Sequence, residues 1–196
     1  MRKTIIIVGI VILVLLLTVF PAISTYNGLV GTNQNVKAAW SQVENVYQRR
    51  LDLIPNLVNT VKGAANFEKS TLTQVIEARA KATQVTIDPS NMTPESMQKF
   101  KDAQGQVGSA LSRLMVSVER YPDLKANQGF MNLQSQLEGT ENRITFERSK
   151  FNDVVVTYNN KVTKFPSNMF ASMFGFKEKP YFTADVAAAK APTVQF

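Results

Sequence analysis

The chain has 196 residues, of which 44% are hydrophobic and 19% are charged, and its formal net charge is +7. It contains no cysteine and no histidine, which excludes thiolate and imidazole metal ligands, a thiol nucleophile and a histidine acid–base catalyst from these residues. Catalysis would have to use carboxylates, Lys, Tyr or Ser, so the composition favours a protein that is not an enzyme and holds no cofactor.

The basic residues are interleaved with acidic ones, as at Lys99, Lys101 and Asp102, and no run of four or more basic residues occurs. A nucleic-acid-binding surface ordinarily clusters Lys and Arg on one face. We therefore expect solvated helix surfaces and no nucleic-acid partner.

The N-terminal residues 4–23 form an uncharged run, TIIIVGIVILVLLLTVFPAI. About 20 apolar helical residues cross a bilayer core of about 30 Å. The run predicts a membrane anchor over residues 1–24 that contacts lipid, and its apolar residues include Ile5, Ile10, Leu15 and Phe20. A cleaved secretory signal is the alternative, but its apolar region ordinarily has about 7–15 residues, so we favour an uncleaved, single-pass anchor.

The charges that flank this run predict its orientation. Arg2 and Lys3 precede it, whereas the first basic residue after it is Lys37. The positive-inside rule therefore places the N-terminus in the cytoplasm and the body on the extracytoplasmic side, with a cytoplasmic body as the alternative.

The first long helix is predicted by apolar residues at alternating spacings of three and four from Val36 to Val61. Pro55 interrupts the run, but the phase of the apolar residues is kept across it. We therefore predict one kinked helix from about residue 27 to 86, roughly 90 Å long, with a hairpin at Pro55 as the alternative.

Two more helices follow in the chain. Thr93 and Pro94 have the form of an N-cap and a first helical residue, and the helix that they open ends near Pro122. The next helix has a heptad-like, coiled-coil spacing from Phe130 and stops before Pro166. The predicted class is all-α: an N-terminal transmembrane helix followed by an elongated up-and-down bundle of three to four long helices over residues 25–165.

The C-terminal region is aromatic over residues 166–182, with Gly175 as a predicted C-cap. This segment either caps the end of the bundle or offers an apolar contact to a partner or to lipid. Residues 183–196 are predicted to be a loosely ordered tail.

Two carboxylates, Glu68 and Glu141, lie close to the apolar seams. Because a buried carboxylate needs a partner, we predict buried polar pairing of these residues with Arg79 and Arg148. A metal-dependent enzyme based on the Glu residues is the less favoured alternative.

A second stripe, rich in amides and small residues, follows the helical spacing on the first and third helices. An exposed face is ordinarily rich in Lys and Glu, whereas amides can form hydrogen bonds between helices. We predict that the stripe is a second, polar seam between helices or between subunits and that it makes a homo-oligomer, with a solvated face of unusual composition as the alternative. The members of this predicted self-association stripe are Asn45, Arg49, Asp52, Asn56, Asn59, Gly63, Asn142, Asn152 and Asn159.

Three strings carry a resemblance to a known family: AWSQV at residues 39–43, QRRLDLIPNLV at residues 48–58 and ERYPDLKA at residues 119–126. With these strings the sequence resembles the LemA family over roughly residues 1–182. The resemblance implies a bacterial, membrane-anchored and mostly helical protein, here at the inner membrane, and it supplies no catalytic residue.

The expected function is that of a non-enzymatic scaffold or interaction protein of the bacterial envelope. Its expected partners are membrane lipid, further copies of itself and other envelope membrane proteins. A lipid-binding or membrane-shaping module is the alternative.

Overall fold

The computed structural model describes residues 2–63 and 67–183, without the side chains of residues 2, 3, 11, 14, 17 and 18. These residues form the helices α1 (Arg2–Lys62), α2 (Lys69–Thr83), α3 (Pro94–Val118), α4 (Pro122–Lys125), α5 (Gln128–Thr163) and α6 (Ser167–Met173). No β-strand occurs in the described ranges, so the predicted all-α class is confirmed. Of the predicted tail, all but Thr183 lies outside the described residues.

The first helix continues through Pro55, as predicted, and its 61 residues extend roughly 90 Å. Its predicted end near residue 86 is wrong, because α1 stops at Lys62 and α2 begins at Lys69. The apolar spacing misled because α2 folds back on α1 and buries its own apolar residues, Leu72 and Val75, in the same core. Periodicity reports which face is buried and carries no information on chain reversal.

Pro55 is tolerated inside α1 because α2 compensates for it. Proline has no N–H and cannot donate to the carbonyl four residues earlier, which here is that of Leu51. The Nε of Arg79 on α2 donates to the Leu51 oxygen at 2.9 Å. The return of α2 therefore satisfies the acceptor that the proline leaves open.

The starts of α3 and α5 follow local capping rules. Thr93 and Ser96 form a reciprocal capping box, in which the Thr93 side chain accepts from the Ser96 N–H and the Ser96 hydroxyl accepts from the Thr93 N–H. The Asn127 side chain accepts from the Phe130 N–H at the start of α5. The predicted start of α3 at Pro94 and the stop before Pro166 are confirmed. The predicted start of the first helix near residue 27 is wrong, because α1 is continuous from Arg2.

The long helices alternate in direction, which confirms the up-and-down bundle. Trp40, near the middle of α1, contacts Phe100 near the start of α3 and Phe151 in the second half of α5. Farther along α1, its last turns pack with the second half of α3 and the start of α5. Helix α3 therefore runs parallel to α1, and α5 runs antiparallel to it. Since Arg79 lies beside Leu51, α2 is also antiparallel to α1.

The buried residues form two cores along the bundle. The distal core joins the second half of α1 to α2, most of α3, α4 and the start of α5, over residues such as Leu51, Val61, Val75, Leu114 and Phe130. The proximal core lies nearer the apolar N-terminal part of α1. It joins the middle of α1 to the start of α3, the second half of α5, α6 and the segment after α6, over residues such as Leu29, Trp40, Phe100, Phe151 and Phe182.

The N-terminal third of α1 continues into the bundle without a break at residue 24. In the part of the chain that the structure describes, no helix combines the length and the apolarity of a membrane span. The predicted transmembrane anchor is thus not supported there. Its apolar residues Ile5, Ile10, Leu15 and Phe20 are all exposed on the helix surface.

Candidate functional site

The most elaborate polar arrangement holds the C-terminal segment, residues 176–183, against the proximal core. Gly175 ends α6 with a positive φ of 75°, which confirms the predicted C-cap, and the Phe176 N–H donates to the Ala171 carbonyl at 2.9 Å. The chain then leaves α6 without further helix and runs along α5.

Two asparagines of α5, one heptad apart, clamp the backbone of this segment. The Asn152 side chain donates to the Phe182 carbonyl and accepts from the Phe182 N–H, both at 2.9 Å. Asn159 makes the same pair of bonds with Lys179, also at 2.9 Å. The two amides thus replace the neighbouring strand that an extended segment ordinarily needs for its backbone groups.

These contacts correct the predicted role of Asn152 and Asn159. Both belong to the predicted self-association stripe, but their polar groups are engaged within the chain, and Asn159 is buried. The sequence places them at helical spacing with the other amides, and spacing cannot distinguish an intramolecular partner from a second copy.

Lys179 is buried and links the C-terminal segment to the loop before α3. Its Nζ donates to the Pro89 carbonyl at 2.8 Å and lies 5.7 Å from the centre of the Tyr158 ring. Burial lowers the pKa of Lys179 below its usual value, and the charge of Lys37 acts in the same direction, while Asp88 opposes both. Sequence analysis missed this lysine, which has no distinguishing neighbours in the chain.

The loop that receives Lys179 is held by Asp88. Its carboxylate accepts from the Ser90 N–H and from the Asn91 amide, both at 2.8 Å. The Ser90 backbone bond, followed by the Asn91 bond, lowers the pKa of Asp88. The charged carboxylate therefore fixes the turn whose carbonyl groups take the lysine.

Phe182 completes the proximal core. It is buried, stacks on Trp40 at 6.0 Å and meets Phe151 edge-on at 5.6 Å. Arg148 lies over the Phe182 ring, with the guanidinium carbon 4.8 Å from the ring centre. Ala171 and Phe182 of the aromatic region 166–182 therefore belong to the proximal core, whereas Phe165, Met169 and Met173 remain exposed.

The predicted buried pairing of Glu68, Arg79, Glu141 and Arg148 is wrong. Glu68 is exposed and pairs with Arg120 at 3.1 Å, and Glu141 is exposed and pairs with Arg50 at 3.1 Å. Arg79 is turned to Leu51, as described above. Arg148 lies two helical turns from Glu141 on α5, about 10 Å along the axis, and is turned to Tyr47 and Phe182.

Arg50 is the buried partner that sequence analysis missed. It reaches Glu141 past Gly108 of α3, where a Cβ would lie 3.1 Å from the guanidinium. The missing side chain at position 108 leaves room for this contact. The adjacent Arg49 and Arg50 look equivalent in the sequence. Successive helical residues are rotated by about 100°, and Arg49 is exposed to solvent whereas Arg50 is buried in the bundle.

The remaining residues of the predicted self-association stripe are exposed and lie on α1, except Gly63, which directly follows it, and Asn142, which lies on α5. A groove of about 730 Å³ runs between α1 and α5 on this side, and Asn45, Arg49 and Asp52 line it together with Thr140 and Arg143. A polar, open surface therefore remains available along α1.

The carboxylates of the alternative metal-dependent enzyme are not brought together. Glu68 pairs with Arg120, which lies between α3 and α4, and Glu141 pairs with Arg50 of α1. Within residues 2–63 and 67–183, no group of three or more carboxylates could hold a metal ion.

The geometry defines a class of protein: an elongated, all-helical, up-and-down body on a long N-terminal helix, closed by an amide-clamped C-terminal segment. The profile of the LemA family matches residues 39–196, which is most of the chain. The chain belongs to the LemA family.

Relatives of this chain carry two kinds of name. Magnetosome protein MamQ 2 of Paramagnetospirillum magneticum is 30% identical over 174 residues, and magnetosome protein MamQ of Magnetospirillum gryphiswaldense is 29% identical over 174 residues; each alignment covers 80% of this chain and 64% of the relative. Protein LemA of Metamycoplasma hominis is 23% identical over 165 residues, or 84% of this chain and 72% of the relative. The chain thus spans 64% of the length of these two magnetosome proteins.

Proposed function

We propose that this protein is a non-enzymatic, membrane-anchored scaffold whose helical body projects from the lipid and associates with further copies of itself. The observation that carries the proposal is the two-part character of α1. Its apolar residues are exposed up to Ile23, whereas from Leu29 onward its apolar face is buried in the bundle. One continuous helix therefore joins an exposed apolar surface to the folded body.

The exposed apolar residues of α1 support the membrane part of the proposal. From Ile5 to Ile23, every large apolar side chain that the structure describes is exposed. Monomeric soluble proteins rarely expose contiguous apolar surface of such extent. Lipid is the proposed environment of this segment, which crosses the inner membrane of a bacterium once and leaves the body on the extracytoplasmic side.

Charged substitutions in this segment test the membrane attachment. In the full chain, Ile12→Arg with Leu16→Arg places two charges in the proposed span, and each costs about 2.5–3.5 kcal/mol at a helix centre in lipid. We expect the variant to move from the carbonate-resistant membrane fraction to the supernatant. Ile76→Arg, the same type of substitution at a single exposed apolar residue of α2, is the control and should stay in the membrane.

Retention of the double-arginine variant in the membrane fraction would contradict the proposal. Sidedness has its own measurement, since the chain has no cysteine of its own. A single cysteine at Val116 should react with an impermeant maleimide in intact spheroplasts. Reaction only in inverted vesicles would place the body in the cytoplasm.

The exposed part of the amide stripe supports self-association. Asn56 and Asn59 lie on the open face of α1, outside both cores. A polar surface that is poor in lysine can approach a second copy without charge repulsion. The members Asn152 and Asn159 take no part, because the C-terminal segment occupies them.

Lysine substitutions test the stripe. Asn56→Lys with Asn59→Lys should lower the particle mass measured by light scattering in detergent. Asn160→Lys, which changes an exposed asparagine of α5 away from the stripe, should leave the mass unchanged. The same mass for all three proteins would remove the stripe from the proposal and leave the membrane attachment intact.

A further inference from the structure

The corner between α5 and α6 carries an apolar surface that neither core uses. Phe165, Met169 and Met173 are 79%, 65% and 66% exposed, and Phe174 follows them with 44% exposed. We call these four residues the corner patch. On α6 the two methionines lie opposite Ala171, which is buried in the proximal core. Helix α6 therefore packs with one side and presents an apolar face on the other.

We propose that the corner patch rests on the surface of an anionic lipid bilayer, beside the point where α1 leaves it. The proposal depends on the membrane attachment of α1 proposed above. It adds a second lipid contact that belongs to the folded body.

The position of α6 on α1 supports this placement. Phe174 packs edge-on against Tyr26 of α1 with ring centres 4.9 Å apart, and Phe176 lies 6.0 Å from the same ring. Tyr26 is one helical turn after Ile23, the last residue of the apolar run, and both are exposed. The corner patch is thus continuous with the exposed apolar surface of α1, at its end nearest the body.

The residue types at this level fit the boundary between lipid and water. Tyrosine and tryptophan concentrate at membrane interfaces, where an apolar ring and a polar tip both find suitable surroundings. Here Tyr26 is exposed and packs beside Phe174 and Phe176. A surface of rings and methionine side chains that face outward is suited to shallow insertion among headgroups.

Charge favours the same occupant. Residues 161–183 contain four lysines and one acidic residue, Glu178. Lys161, Lys164 and Lys177 are exposed around the corner patch, and Lys161 also donates to the Gly28 carbonyl of α1 at 3.3 Å. Basic residues that flank an apolar face are attracted to anionic lipid, which a neutral protein partner would not require.

The opposite end of the bundle offers an internal comparison. Val116, near the end of α3, is 72% exposed, but it belongs to the distal half of the molecule, remote from the apolar part of α1. Val116 is about as exposed as Phe165, Met169 and Met173, but it does not lie beside the apolar part of α1. If exposure alone drove lipid contact, both ends would bind the bilayer.

Fluorescent probes on single cysteines test the proposal in the full chain, which has no native cysteine. The sites are Met169→Cys and Met173→Cys in the corner patch, Leu16→Cys in the apolar part of α1 and Val116→Cys as the matched control. Each variant carries an environment-sensitive probe and is reconstituted in vesicles of equimolar phosphatidylcholine and phosphatidylglycerol, with nitroxide lipids as quenchers at headgroup or mid-chain depth.

We expect the probes at 169 and 173 to lose roughly half of their fluorescence to headgroup-depth quenchers, since an interfacial helix buries its apolar face by about 5–10 Å. The probe at 16 should respond to mid-chain quenchers, and the probe at 116 to neither. Weaker quenching at 169 in vesicles of phosphatidylcholine alone would support the role of the lysines.

Unquenched probes at 169 and 173 with a quenched probe at 16 would overturn this inference and leave the membrane anchor standing. No quenching at 16 would overturn the anchor and the inference together. Protection at 169 that grows with protein concentration in detergent, without quenching in vesicles, would assign the corner patch to a second copy and would also overturn the lipid contact.

Discussion

The distal and proximal cores of this bundle are built by different means. The distal core is helix against helix, and its apolar residues follow the spacing of α1, α2, α3 and α5. The proximal core is also lined by helices, but it is completed by a non-helical segment that contributes Phe182. That segment is bound through its backbone by Asn152 and Asn159.

The difference concerns where polar backbone groups find partners. A helix satisfies most of its own N–H and C=O groups, so the distal core depends less on side chains that bind the backbone; one such contact is that of Arg79 with the Leu51 carbonyl, which Pro55 leaves open. An extended segment satisfies none of its own. The proximal core therefore needs buried amides, and its stability should depend on specific side chains as well as on apolar area.

The largest expected effect on stability comes from removing the large aromatic side chain at the centre of the proximal core. Trp40→Ala removes the ring that Phe100, Phe151 and Phe182 all contact. We expect the free energy of unfolding to fall by about 3–5 kcal/mol, measured by urea denaturation. Val116→Ala, at an exposed site, should change it by less than about 0.5 kcal/mol. A small loss for Trp40→Ala would mean that the proximal core contributes little to stability.

The amide clamp should have the next largest effect. Asn159→Ala leaves the N–H and the C=O of Lys179 without their partner, and each unsatisfied buried group costs about 1–3 kcal/mol. We expect a loss of about 2–3 kcal/mol together with faster proteolysis after residue 175. Asn160→Ala removes the neighbouring, exposed amide and should alter neither measurement. Equal effects of the two substitutions would contradict the assigned clamp.

The distal core has a polar contact that can be isolated by a double-mutant cycle. Arg79→Met leaves the Leu51 carbonyl open and should cost about 1–2 kcal/mol. In a Pro55→Ala background, the new N–H at position 55 can donate to that carbonyl, so the same substitution should cost less. Additive losses would show that Arg79 does not act through the acceptor that the proline leaves open.

The smallest effect concerns two glycines of α3. Gly105→Ala meets nothing within 4 Å and should stabilise the helix by up to about 1 kcal/mol. Gly108→Ala places its Cβ 3.1 Å from the Arg50 guanidinium and should gain less, because Arg50 must shift. Thermal denaturation of the two variants compares them directly. Equal stabilisation would mean that Arg50 moves aside without cost.

The sequence predicted most of the helices because their signals are local. The capping residues Thr93 and Pro94, the C-cap Gly175 and the phase kept across Pro55 all act within a few residues, and the structure confirms each of them. The family resemblance was likewise carried by contiguous strings. What depends on neighbouring residues in the chain could be predicted from one sequence.

Contacts between distant residues could not be predicted in this way. The reversal between α1 and α2 leaves the apolar phase looking continuous, so Arg79 was assigned to a carboxylate when it bonds a backbone carbonyl. Asn159 has the spacing of an exposed stripe, yet its partner is 20 residues away in a segment without periodicity. An amide side chain can form hydrogen bonds with many kinds of group. The spacing of amides in a sequence therefore indicates a polar contact but does not identify the partner.

The unbroken course of α1 fixes the rotational register between the apolar N-terminal part and the body. One residue inserted between Ile23 and Tyr26 would turn one part against the other by about 100° and shift it by about 1.5 Å. Tyr26 would keep its place beside Phe174, while Ile23 and the residues before it would swing to another side. A full heptad inserted at the same point would nearly restore the original facing at a height about 10 Å greater.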